Sequence, residues 1–99
     1  MSLDLENLEI KHDPEEKRFE IHVGRQTAFV EYLLAGTNIA FTHTEVPVAW
    51  EGQGVGNKLA KYVLDYAVEH GYKIQPLCPF IAAYVRRHAA EYQEHVWNM

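Results

Sequence analysis

The sequence predicts an α+β fold. An antiparallel meander of four strands leads through a long amphipathic helix to a fifth strand, splayed from the fourth and parallel to it, and then to a C-terminal helix. Three observations carry this. Apolar and polar residues alternate at period two through residue 46. The period changes to steps of three and four between Val55 and His70. A short apolar run then returns before Pro79. Strands followed by a helix and a returning strand describe a sheet with a helix packed on it.

Leu8, Ile10 and His12 alternate with Glu9 and Lys11, and Phe19, Ile21 and Val23 with Glu20 and His22. The charged run Asp13-Pro14-Glu15-Glu16-Lys17-Arg18 between them reads as a solvated turn. Gly24-Arg25 is a hairpin signal. It leads into a third strand, 26–34, with Ala28, Val30, Tyr32 and Leu34 on one side. Gly36-Thr37-Asn38 turns the chain into a fourth strand over 39–46. Links this short place consecutive strands side by side and antiparallel. In the helix, Leu59, Ala60, Val63, Leu64 and Ala67 form one face, with Asn57, Lys58, Lys61, Asp65 and Glu69 opposite. Gly71 is placed to end it. Residues 72–77 form the fifth strand, and Pro79 opens a second helix over 79–88.

Composition narrows the function. A chain of 99 residues is one domain, 1–99, able to bury roughly two thirds of its unfolded surface. A formal charge of −5 argues against binding nucleic acid, which needs clustered Lys and Arg. No run approaches the ~20 apolar residues of a membrane span, and no secretory signal opens the sequence. One cysteine, Cys78, forms no intrachain disulfide and fits a reducing compartment, so a cytoplasmic location is expected. The six histidines show no ligand spacing, so no metal site is expected.

Glu51-Gly52-Gln53-Gly54-Val55-Gly56, between the fourth strand and the long helix, is the most informative segment. Glycines let the backbone approach a ligand, and a helix start presents unpaired N–H groups with partial positive charge. Together they suit a phosphate. A flexible turn is the plainer reading, but three alternate glycines exceed what a turn requires. The dinucleotide fingerprint fails at Asn57, and Asn57-Lys58-Leu59 lacks the Gly-Lys-Ser/Thr of a nucleotide P-loop.

His43-Thr44-Glu45-Val46-Pro47 followed by Gly52-Gln53-Gly54-Val55-Gly56 resembles the coenzyme A-binding signature of GCN5-related N-acetyltransferases. The segment Pro76-Leu77-Cys78-Pro79-Phe80-Ile81-Ala82-Ala83-Tyr84-Val85-Arg86-Arg87-His88 is similar to their short, single-domain, YjdJ-like or NATD1-like branch. The resemblance spans nearly the whole chain, most closely residues 39–92. It implies the compact GNAT-like form of the fold, acetyl-CoA as acyl donor and an amine acceptor, whether small molecule, peptide or protein lysine. It further implies that Val46 and Val48 offer backbone groups to the pantetheine arm. Gln53, Gly54, Val55, Gly56 and Asn57 would then surround the diphosphate, with Lys58 a nearby cation. Glu51 departs from the family's Gln or Arg, and a carboxylate there repels phosphate unless it points away.

Acyl transfer needs a deprotonated amine, a polarised thioester carbonyl and a proton for the departing sulfur. Period two places Phe41, His43 and Glu45 on one face of the fourth strand, just before the glycine loop. His43 and Glu45 are thus candidate bases, or else a hydrogen-bonded sheet histidine and a surface carboxylate. Cys78, before Pro79, falls at a helix N-cap where the dipole lowers a thiol pKa. It is a candidate nucleophile, or a buried small apolar residue. Tyr84 matches the tyrosine that the resemblance implies as proton donor to sulfur, and equally suits a core aromatic. A non-catalytic acyl-CoA-binding module is the alternative to an enzyme.

Overall fold

The computed structural model describes residues 3–97. A five-stranded sheet runs in chain order: β1 (Lys11–Asp13), β2 (Arg18–Val23), β3 (Gln26–Ala35), β4 (Asn38–Glu45) and β5 (Lys73–Pro76). The first four strands are antiparallel, and β5 lies parallel to β4 with Asn38 opposite Lys73 and Phe41 opposite Pro76. Helix α1 (Val55–Glu69) makes the crossover, and α2 (Pro79–Arg87) and the short α3 (Ala89–Tyr92) follow β5. This is the α+β meander, crossover and C-terminal helix read from the sequence. β1 is shorter than expected: Leu8 and Ile10 precede it in extended chain after a 3₁₀ turn at Leu5–Asn7. None of the helices is long and apolar enough to cross a membrane, among the described residues.

One hydrophobic core joins a single face of the sheet to α1 and α2. Phe19, Ile21, Ala28, Val30, Tyr32, Ile39 and Phe41 meet Leu59, Val63, Leu64 and Ala67 of α1 and Ile81 and Val85 of α2, all buried. Leu34, read as a core-face residue, is largely exposed at the far end of β3. The C-terminal segment covers the free edge of β5: Val96 bridges Ile74, and the Trp97 N–H donates to the Ile74 carbonyl at 2.8 Å.

β4 corrects the sequence reading. Glu31 faces His43 while Tyr32 faces Phe41, which leaves Thr42 as a β-bulge. The extra residue breaks period two, so Phe41 points into the core whereas His43 and Glu45 lie on the opposite face. There His43 approaches the Phe29 ring at 5.8 Å between centroids, and Arg18 covers the same ring at 3.8 Å. Phe41 does not share a face with them.

Rings from four elements pack at one end of the sheet. His12 stacks on Phe19 at 4.2 Å, meets the Tyr66 edge at 5.0 Å and shares a 2.6 Å hydrogen bond with the Tyr32 hydroxyl. Burial holds the His12 pKa below its ordinary 6.5, with His70 adding to this and Asp13 opposing it. The unfolded chain therefore binds more protons than the folded one between that lowered pKa and 6.5, and His12 subtracts stability as pH falls through this window. Urea midpoints measured from pH 7.5 to 5.0 are expected to decline more steeply for the wild type than for His12→Phe.

Candidate acyl-donor cleft

A cleft of about 710 Å³ opens at the end of β4. Its wall runs from Thr44, Glu45 and Val46 at the strand end, past Trp50, Glu51 and Gly52, to Gly54, Val55, Gly56 and Asn57 at the start of α1, with Phe80 of α2 opposite. The glycine loop takes its shape from backbone that other residues avoid: Gly52 has φ of 78° and Gly54 of 85°. Gly54 is the N-cap of α1 and no side chain caps the helix, so the first-turn N–H groups of Val55, Gly56 and Asn57 lack an internal acceptor of that kind. The positive end of the helix is aimed at the cleft.

The N-terminal segment braces this loop from behind. The Leu3 N–H donates to Gln53 Oε1 at 2.9 Å, and Lys58 Nζ donates to the Leu5 carbonyl at 2.7 Å. Leu5 lies so close that a Cβ on Gly54 would come within 3.1 Å of its Cδ1. Gln53 and Lys58, both read as donor-binding, thus fasten the loop to residues 3–5 and lie outside the cleft wall. Gly56 lies against a ring instead: a Cβ there would sit 2.7 Å from Phe80 Cζ, the outer end of that side chain.

Of the remaining candidates, Glu45, Val46, Gly54, Val55, Gly56 and Asn57 form the wall, and Val48 is 82% exposed outside it. Cys78 is the N-cap of α2, 5% exposed, and its thiol donates to Thr44 Oγ1 at 3.4 Å, which puts it directly behind the cleft. Its backbone N–H extends the β4–β5 pairing by donating to the Phe41 carbonyl at 2.8 Å. His43 contacts Glu45 at 3.3 Å through Nε2, from the outer face of the sheet. Tyr84 is elsewhere. It is buried against His88 at 4.2 Å between ring centroids, on the α1–α2 side, where burial raises its pKa. Nearby, Tyr92 donates to Asp65 at 2.7 Å and is likewise pushed up, by burial first and then by that carboxylate.

Sequence reasoning missed Thr44, Trp50 and Phe80 as wall residues. Trp50 is 1% exposed and its indole Nε1 has no hydrogen-bond partner among the described residues. A tryptophan between Pro47 and the first glycine was the available signal.

Residues 18–95 match the family described as GCN5-related N-acetyl-transferase. The chain belongs to that family. Among its relatives, Protein NATD1 of Gallus gallus is 32% identical over 93 residues, covering 90% of this chain and 84% of the chicken protein. Protein NATD1 of Homo sapiens is 33% identical over 82 residues, covering 80% and 73%. A solution structure of a GCN5-like protein from Staphylococcus aureus superposes with a TM-score of 0.69 at 33% identity, covering 94% of this chain and 91% of that one. The architecture and the activity class, acetyl transfer, are therefore those of the family.

Two glycine substitutions separate conformation from space. Gly54→Ala forces a side chain into left-handed backbone and against Leu5, and is expected to destabilise by about 1–2 kcal/mol. Gly56→Ala meets only the far end of Phe80, a ring free to swing, and is expected to stay within about 0.5 kcal/mol of the wild type. Urea denaturation of the two variants checks the contrast.

Proposed function

We propose that this chain transfers an acetyl group from acetyl-coenzyme A to an amine. The observation that supports it is the cleft, which runs from the end of β4 at Thr44–Val46 to the start of α1, a helix with no side-chain cap among the described residues. In this reading the amides of Gly54 to Asn57 hold the diphosphate. Val46 borders the pantetheine arm, and the thioester rests where β4 leaves β5, near Thr44 and Cys78. The acceptor nitrogen attacks the carbonyl carbon, the new C–N bond forms as the C–S bond breaks, and the electron pair leaves on sulfur. Glu45, the wall carboxylate at the strand end, takes the amine's proton directly or through water, with His43 beside it on the outer face. The Cys78 thiol donates to a hydroxyl rather than to a base, which supports direct attack by the amine over an acyl-cysteine route.

A second reading, a non-catalytic acyl-CoA-binding module, draws support from Tyr84 lying in the core away from the cleft. Titration calorimetry with CoA, followed by CoA release with a panel of small amines and lysine peptides, decides between the two. Binding with turnover supports the transferase, and binding without turnover on any amine supports the module.

Three outcomes follow for variants. Glu45→Gln is expected to lower kcat about a hundredfold while CoA affinity holds. Cys78→Ala is expected to remain active, and mass spectrometry after incubation with acetyl-CoA to show no adduct on Cys78. Glu51→Gln removes a carboxylate from the cleft wall and is expected to tighten CoA binding roughly threefold at low salt, an effect that shrinks as salt rises.

A further inference from the structure

Trp50 presents a donor that the protein itself leaves unused. The indole Nε1 is shut away from solvent and has no acceptor among the described residues, although buried polar groups are nearly always paired. Such an orphan is unfavourable, a cost that a bulky apolar residue in the same place would avoid. The residue forms part of the cleft wall, between the strand end at Thr44–Val46 and the glycine loop at Gly54–Asn57.

We propose that Trp50 Nε1–H is a binding residue for the donor substrate, donating to an amide carbonyl of its pantetheine arm. The inference rests on the acetyl-CoA reading above and adds to it a recognition contact. With the diphosphate at the helix start and the sulfur beside Cys78, the stretch of ligand that passes Trp50 is the arm between them. That arm carries two amide carbonyls, strong acceptors, and the indole N–H is an unpaired donor on a residue of the wall it passes. The same contact discriminates against a purely hydrocarbon arm, because that ligand would keep the donor unpaired.

Trp50→Phe keeps the ring and removes the N–H. Its unligated melting temperature is expected to equal or exceed that of the wild type, since an unpaired buried donor is gone. Its Kd for CoA is expected to rise roughly three- to tenfold, the range of one lost hydrogen bond. On the wild type, ¹⁵N NMR is expected to show the Trp50 indole resonance moving downfield with CoA and with pantetheine but not with 3′,5′-ADP. Trp97 supplies the reference indole signal. If the wild type binds CoA while Trp50→Phe binds it equally well, or if the Trp50 resonance stays in place at saturation, the assignment is overturned. If the wild type fails to bind CoA, the donor-substrate reading itself falls, which is a different result.

Discussion

Strands β4 and β5 pair in register from Asn38 and Lys73 to Phe41 and Pro76, and the cleft begins on β4 just past the point where that register ends. Proline has no N–H to donate, so Pro76 weakens the ladder on one side, while the bulge at Thr42 bends β4 on the other. One further backbone bond, from Cys78 to Phe41, marks the last point of contact, and beyond it a thiol and a hydroxyl meet instead. The residues that wall the cleft, from the strand end through the glycines to the start of α1, all follow this point in the chain.

A chain of this length has little material with which to build a site, and the structure shows how parts are shared. Residues 3–5 serve as a brace for the glycine loop through Gln53 and Lys58. Phe80 closes the cleft from α2 while resting on Gly56. Cys78 both caps α2 and carries the sheet pairing forward. The preorganisation that larger domains obtain from additional helices comes here from side chains with two tasks each.

The meander, the long helix, the parallel fifth strand and the glycine loop were legible in the sequence because each rests on local periodicity or on glycine's conformational range. The core face of α1 followed from Leu59, Val63, Leu64 and Ala67 without exception. What escaped depends on distant contacts. The bulge at Thr42 left no mark in composition, and it moved His43 and Glu45 to the face opposite Phe41. The role of Lys58 was hidden because its partner, the Leu5 carbonyl, lies 53 residues away. Tyr84 fitted both a catalytic and a packing reading at the same spacing, and only the neighbouring His88 and Tyr92 place it in the core. The unpaired nitrogen of Trp50 depends on how the chain folds around it and leaves no local pattern in the sequence.

The irregularity at Thr42 also bears on how length variation in this strand should be understood. A version of the chain without that residue would keep His43, Thr44 and Glu45 on their present sides, because the spare position belongs to neither side of the sheet. It would lose the bend. The strand end at Thr44–Val46 would then take another direction, and the cleft would change shape while every residue that lines it remained in the sequence.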